Sequence, residues 1–200
     1  KKSLPENTEL KTFIKKKSHT IVKKRYIDSY RNNKLFKIEY INDKPIDRDL
    51  TEEIVNYLNE ELPKYDLVMV GDFGHGFIND TIRKALEKKS NFLCINAQSN
   101  SANMGYNYIN HYQKSDFIVM DDQEIRLPLM KRFEEIEEVI KEFHNKFSYN
   151  KFLVTMGKEG SLFFNNGTLQ KAPILVDTVV DTVGAGDAVF ALTSLLIKAE

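Results

Sequence analysis

The stretch DTVVDTVGAGDAVFALTSLL, residues 177–196, joins an extended β-branched segment to an apolar helical one through a Gly-Ala-Gly-Asp turn. Gly184 and Gly186 allow a sharp backbone turn and leave room for a ligand beside it. Residues 187–199 carry apolar side chains at helical spacing, which predicts a helix. The stretch therefore predicts a strand, a turn and a helix in succession, which is typical of α/β proteins.

Four short apolar runs precede this unit, and each has the character of a buried strand. They are YDLVMV (residues 65–70), NFLCIN (91–96), DFIVMD (116–121) and KFLVTMG (151–157). Amphipathic helices are predicted around them, namely LTEEIVNYLNEEL, INDTIRKALEKKS with its cap at Asn79 or Asp80, and residues 133–147. Strands that alternate with helices predict a parallel sheet with helices on both faces, and ligands bind beyond the carboxyl ends of such strands.

Two hairpins are predicted in addition. Near the amino terminus, HTIVKKRYID (residues 19–28) and KLFKIEYI (34–41) are rich in β-branched and aromatic residues and flank an asparagine-containing turn. After the fourth apolar run, SLFFNNGTLQK has a turn signal at residues 165–167.

Composition limits the classes of function. Lys and Arg total 29, as do Asp and Glu, and the resulting zero net charge argues against a nucleic-acid partner held by bulk charge. The single cysteine, Cys94, is expected to be a buried small hydrophobe, and its isolation indicates a reducing compartment. No apolar stretch reaches the roughly 18 residues that span a bilayer. A cytoplasmic protein without a membrane partner is therefore expected.

The Gly-Ala-Gly-Asp turn suggests a chemical role. The beginning of a helix presents N–H groups without intrahelical partners and a partial positive charge. The amides of Ala185, Gly186 and Asp187 could therefore hold a phosphoryl group, and the Asp187 carboxylate could accept the proton of an attacking hydroxyl. The alternative is purely structural, a tight turn with a favourable acid in the first helical turn. No Gly-Lys-Ser/Thr follows, which excludes a P-loop.

The segment VVDTVGAGDAVF resembles the signature of the PfkB/ribokinase family of carbohydrate kinases. The resemblance implies a ribokinase-like α/β fold and transfer of phosphate from ATP to a sugar hydroxyl. It implies that Asp187 is the base and that the amides of residues 184–186 form the anion hole. It also places Asp181 and Thr182 where many members hold a monovalent cation, so that K⁺ is expected beside ATP and Mg²⁺.

MDDQEIRL, which follows the third apolar run, resembles the position of an Asn-x-x-Glu motif that orients the water shell of Mg²⁺ in the family. Glu124 matches the motif, and Asp121 replaces the usual asparagine. Carboxylates can hold waters around Mg²⁺ without binding it directly. The resemblance thus implies a metal site at Asp121 and Glu124. The alternative is a helix cap with acids in its first turn.

VTMGKEGSLFF resembles the family's Thr-x-Gly-x-x-Gly run, which lines the nucleotide. Thr155, Gly157 and Gly160 match the run, and Lys158 lies between the glycines. The glycines could let the backbone approach ATP closely. Lys158 could instead be simply solvated, as most lysines are.

The early hairpin resembles a narrower group, the heptose-7-phosphate kinases that form the kinase half of bifunctional ADP-heptose synthases. The resemblance places Lys23, Lys24 and Arg25 near the sugar or its phosphate, although a solvated strand edge is the alternative. VGDFGHGF resembles that group's Asp-Tyr-Gly-Lys-Gly segment, which implies substrate contacts for Asp72 and for His75, where lysine is usual. NAQSNSANMGYN (residues 96–107) departs from the Asp-Pro-Lys/Asn run of many sugar kinases.

The resemblance divides the chain into a lid-like hairpin region, residues 1–47, and a kinase core, residues 48–200. The core corresponds to the later part of a family member, so the chain is expected to be a portion of a longer kinase. The hairpin is also a candidate homodimer interface. Two alternatives stay open: another sugar kinase of the family, and a non-catalytic sugar- or nucleotide-binding module with an inherited site.

Overall fold

The computed structural model describes residues 4–31, 33–175 and 182–200, and these form two sheets. The smaller sheet is an antiparallel pair, β1 (Val22–Ile27) and β2 (Lys34–Tyr40). It confirms the hairpin predicted near the amino terminus. Side chains alternate between its two faces, so Lys23 and Arg25 share one face with Lys37 and Glu39, whereas Lys24 lies on the other face with the aromatic residues of the hairpin.

The larger sheet contains six strands in sequential order. They are β3 (Val68–Asp72), β4 (Leu93–Ala97), β5 (Phe117–Asp121), β6 (Lys151–Thr155), β7 (Ser161–Asn165) and β8 (Thr168–Ala172). The first four are parallel and match the four predicted apolar runs. The second predicted hairpin forms β7 and β8, which extend the sheet antiparallel and make it mixed. Asn166 and Gly167 have φ of 47° and 90°, as a two-residue hairpin turn of this type requires.

Five α-helices accompany the described strands. They are α1 (Arg48–Glu61), α2 (Asp80–Lys89), α3 (Asp122–Arg126), α4 (Ile136–Phe147) and α5 (Ala185–Ala199). The predicted cap of α2 is Asn79, whose side chain accepts hydrogen bonds from the Thr81 and Ile82 N–H groups. Helix α4 begins later than predicted and α5 slightly earlier. None of these helices has both the length and the apolar character needed to cross a bilayer.

The helices cover both faces of the larger sheet, as predicted. Helices α1 to α4 enclose the main core on one face, where Ile95 and Ile118 are fully buried. Helix α5 covers the other face, where Phe190 packs near Cys94 and Phe117. Successive residues of β4 and β5 thus face different helices, which explains why both strands are apolar throughout. Cys94 is fully buried and free, as expected.

The carboxyl ends of the parallel strands meet at one edge of the sheet. Asp72 at the end of β3 pairs with Ala97 of β4, and Asp121 at the end of β5 pairs with Thr155 of β6. The polar segments GDFGHG, NAQSNS, DDQE and TMGKEG lie at the ends of these four strands. The fold therefore places them along one edge.

Candidate active site

The turn before α5 has the geometry that its glycines require. Gly184 is the N-cap residue and has φ of 83°, in the left-handed region that favours glycine. The Ala185 N–H donates to the Thr182 carbonyl at 3.1 Å. A Cβ at Gly184 or Gly186 would meet no described atom within 4 Å. Among the described residues, the space beside the turn is therefore open to a ligand. The Ala185 N–H already donates to the Thr182 carbonyl, so it would have to share its hydrogen with any bound anion.

Asp187 lies in the first turn of α5, exposed at the sheet edge. Its Oδ1 accepts a hydrogen bond of 3.1 Å from Nε2 of Gln98, which follows β4. The same Nε2 donates to Oδ1 of Asn96 at 2.9 Å, and Nδ2 of Asn96 donates to the Val119 carbonyl at 2.8 Å. Two amide side chains thus connect the predicted base to the backbone of β5. In the sequence, this segment is recognisable only as a departure from the family pattern.

Residues 98–107, here called the asparagine loop, are held by buried amides. Nδ2 of Asn103 donates to the carbonyls of Phe73, at 2.8 Å, and Gln98, at 3.1 Å. Nδ2 of Asn107 donates to the Asp72 carbonyl at 3.0 Å. Asn103 and Asn107 are each only 4% exposed. The loop therefore has a defined conformation between β3 and the predicted base.

Asp72 has contacts that direct it inward. Its Oδ1 accepts from the Gly74 N–H at 2.9 Å, and its Oδ2 accepts from the Tyr112 hydroxyl at 2.9 Å. The Arg83 guanidinium lies 3.8 Å from Oδ2. Burial, together with the Asp72 carboxylate, raises the pKa of Tyr112, so its hydroxyl stays a donor. Asp72 therefore holds the loop after β3, and the substrate contact implied for it stays a prediction.

The predicted basic residues Lys23 and Arg25 share one face of the hairpin with Lys37 and Glu39. In the strand register, Lys23 is opposite Glu39 and Arg25 is opposite Lys37. Nζ of Lys37 lies 2.9 Å from Oε1 of Glu39 and 3.0 Å from Oγ of Ser101 in the asparagine loop. This face, here called the basic face, therefore meets the same loop that contacts Asp187. Lys37 was missed because its cross-strand pairing with Arg25 is not visible in the sequence.

His75 belongs to the loop after β3, and charges of the basic face, Lys23 and Glu39, act on it. Both ring nitrogens are buried and have no hydrogen-bond partner among the described residues. Burial lowers the pKa of His75, and the Lys23 ammonium acts in the same direction. The loop after β3 therefore carries a neutral imidazole whose two nitrogens have no partner among the described residues.

Asp121 and Glu124 form a reciprocal cap of α3. Oδ1 of Asp121 accepts from the Glu124 N–H at 2.7 Å, and Oε2 of Glu124 accepts from the Asp121 N–H at 2.9 Å. Oε1 of Glu124 accepts from the Ser99 N–H of the asparagine loop at 2.9 Å. Burial and the Asp121 carboxylate raise the pKa of Glu124 to about 7. The capping alternative is thus realised for both residues.

A cavity of about 450 Å³ opens at the ends of β5 and β6. Asp121, Thr155 and Gly157 line it, so the structure brings part of the predicted metal and nucleotide sites together. Lys158 is exposed outside this lining. Gly160 has a structural explanation, because a Cβ there would lie 2.2 Å from the Ala172 carbonyl oxygen.

Residues 15–194 match the family model of the pfkB family carbohydrate kinases. This chain belongs to the pfkB family of carbohydrate kinases. A similar curated protein, bifunctional protein HldE of Campylobacter jejuni, is 25% identical over 155 residues, which are 76% of this chain and 32% of that protein. The pfkB chain therefore spans about a third of that relative.

Solved structures show the same fold. Arabidopsis thaliana ribokinase complexed with ribose and ATP aligns over 85% of this chain and 54% of its own, with a TM-score of 0.56 at 19% identity. Escherichia coli phosphofructokinase-2 in complex with potassium aligns over 82% and 54%, with a TM-score of 0.65 at 11% identity. The ribokinase-like architecture predicted for this pfkB chain is confirmed. Asp181, predicted beside the monovalent cation, lies outside the described residues.

Proposed function

We propose that this pfkB chain is the kinase portion of an enzyme that transfers the γ-phosphoryl group of ATP to a hydroxyl of a phosphorylated sugar of the heptose-phosphate type. The observation that carries the proposal is the position of Asp187, which lies in the first turn of α5 beside an open glycine turn. A carboxylate in that position can take the proton of the acceptor hydroxyl as it attacks. The neighbouring helix N-terminus favours the negative charge that develops on the transferring group.

The basic face supports a substrate that carries its own phosphate. Lys23, Arg25 and Lys37 contribute three positive charges against the single carboxylate of Glu39. The contact of Lys37 with Ser101 joins this face to the asparagine loop, and Gln98 of the same loop contacts Asp187. A sugar phosphate lying along the loop would therefore reach the base with its hydroxyl and the basic face with its phosphate. The resemblance to heptose-7-phosphate kinases favours the same substrate class.

The cavity at the ends of β5 and β6 is the proposed nucleotide side of the site. Mg²⁺ would neutralise phosphate charge there. The described residues contain no cluster of three or more histidine, cysteine or acidic side chains that could hold a metal by themselves. Because both oxygens of Glu124 accept backbone N–H groups, Asp121 and intervening waters fit the ion best. For K⁺, we retain the segment around Thr182 as a prediction, and a cytoplasmic location likewise.

The test is sugar-dependent ADP release by the full-length protein with Mg·ATP and a panel of free and phosphorylated sugars. We expect a phosphorylated heptose to give the highest kcat/KM. Asp187→Asn should lower kcat by at least about 100-fold, the range of a positioned base. Asp49→Asn is the matched control, because Asp49 is an acid in the first turn of α1.

The panel also separates the alternatives. A preference for a free sugar would assign the chain to another sugar kinase of the family. If no sugar increases ADP release, or if Asp187→Asn equals the parent, the catalytic proposal is wrong. Binding of sugar or nucleotide without turnover would then favour the inherited binding module.

A further inference from the structure

We propose that Gln98 is the positioning residue for Asp187, and that Asn96 determines which end of the Gln98 amide faces the carboxylate. The inference rests on the proposed function, in which Asp187 is the base. It concerns two side chains in the segment that departs from the family's usual pattern.

The orientation of the Asn96 and Gln98 side-chain amides follows from the hydrogen bond between Asn96 and the Val119 carbonyl. A backbone carbonyl only accepts hydrogen bonds, so the Asn96 group within 2.8 Å of the Val119 carbonyl is the NH₂. The Asn96 oxygen then faces Gln98 and can only accept, so the Gln98 group 2.9 Å away is also an NH₂. The second hydrogen of this NH₂ is the one directed to Oδ1 of Asp187. The β5 backbone thus dictates a donor at the carboxylate.

The groups that hold the Asn96 and Gln98 side chains are buried, which restricts the movement of both side chains. Asn96 is 7% exposed and belongs to β4. The Gln98 N–H donates to the Asp72 carbonyl at 2.8 Å, and its carbonyl accepts from the Asn103 amide. Asp187, in contrast, is exposed on the first turn of a helix. Among the described residues, the side-chain amides of Gln98 and Asn96 are therefore what ties the Asp187 carboxylate to the sheet.

The hydrogen bond from Gln98 gives the two carboxylate oxygens of Asp187 different roles. Oδ1 is occupied by the Gln98 amide, so Oδ2 is the oxygen presented to an acceptor hydroxyl. In the described part of the chain no cation forms an ion pair with Asp187. Gln98 therefore supplies the orientation that a third group gives to the base in other catalytic sites.

The experiment compares Gln98→Ala, Gln98→Glu and the matched control Gln170→Glu in the full-length protein. Gln170 is exposed on β8, so its replacement makes the same change in charge on an edge strand. Gln98→Ala should lower kcat about 10- to 100-fold, as loss of a hydrogen bond to a charged group implies, with the KM for ATP within about twofold. Gln98→Glu should move the acid limb of the kcat/KM profile upward by about one pH unit or more. A purely structural role would not move that limb.

A second measurement separates this inference from the proposed function. The carboxyl signal of Asp187, identified by its loss in Asp187→Asn, is followed against pH by carbon NMR. A midpoint that rises in Gln98→Glu but not in Gln170→Glu supports the positioning role even if the parent has no kinase activity. The inference is overturned if the Asp187 midpoint is the same in the parent, in Gln98→Glu and in Gln170→Glu. It is also overturned if the parent is active and both Gln98 variants have the kcat and the pH profile of the parent.

Discussion

At the scale of single residues, Glu124 carries the clearest electrostatic consequence. It is 9% exposed, and burial together with the Asp121 carboxylate raises its pKa from 4.5 to about 7. Its hydrogen bonds from the Asp121 and Ser99 N–H groups act in the opposite direction but do not offset burial. Burial therefore destabilises the charged carboxylate of Glu124, and the two backbone N–H groups stabilise it in part. These N–H groups belong to two segments that the fold brings together.

This residue gives a pH-dependent prediction. A carboxyl whose pKa is higher in the folded chain stabilises the fold fully below about pH 4.5, and this contribution is lost as pH rises through about 7. Relative to the parent, Glu124→Gln should therefore gain up to about 3 kcal/mol in free energy of unfolding between pH 4.5 and 8. Urea unfolding without divalent cations measures the difference. Glu137→Gln, exposed on α4, should show no such trend, and parallel curves for both variants would refute the assignment.

At the scale of elements, two glycines of one loop make a matched pair. Gly157 and Gly160 both have positive φ, 55° and 90°. A Cβ at Gly157 would meet no described atom within 4 Å, whereas at Gly160 it would lie 2.2 Å from the Ala172 carbonyl oxygen. Gly157→Ala should therefore cost only about 1 kcal/mol, the strain of the left-handed conformation. Gly160→Ala should cost roughly 3 kcal/mol or more, because β8 must move.

Urea unfolding of the two variants tests this assignment. Equal losses of stability would mean that β8 does not approach Gly160 as closely as described. The pair also separates fold from ligand. Gly157 lines the cavity at the ends of β5 and β6, so an effect of Gly157→Ala on the KM for ATP would arise without a large loss of stability.

At the scale of the whole molecule, the hairpin has a mainly apolar face, which also carries Lys24, turned away from the basic face. Tyr26 and Phe36 stack at 4.4 Å on it, and Val22, Phe36 and Tyr40 are each about half exposed. A two-stranded sheet is marginal by itself, and exposed apolar patches mark interaction surfaces. We propose that this face pairs with the same face of a second copy.

Sedimentation velocity over a range of concentrations tests the proposal. The parent should shift to a dimer as concentration rises, and Phe36→Lys should remain monomeric. Phe133→Lys is the control, since Phe133 is 86% exposed and precedes α4, outside the hairpin. A parent that stays monomeric throughout, or two variants that behave alike, would exclude the hairpin as the interface.

The sequence by itself determined the local elements and the architecture. Apolar runs specified β3 to β6, helical spacing specified the main helices, and Asn166-Gly167 specified the turn of the second hairpin. These features depend on residues near one another in the chain, where periodicity and turn chemistry act. The glycine turn and Asp187 were visible for the same reason, since the signature is one continuous segment.

Only the tertiary structure decided how the site is supported. Gln98 and Asp187 are separated by 89 positions, and Lys37 and Ser101 by 64. No local pattern predicts such contacts, because they depend on strand order, on the path of the asparagine loop and on the angle of the hairpin. For the same reason, the sequence did not predict that Asp72 accepts a hydrogen bond from Tyr112, or that the Ala172 carbonyl lies close to Gly160. The physical reason is that the sequence specifies each side chain at its own position, whereas the packing of strands that are distant in the chain determines which residue it contacts.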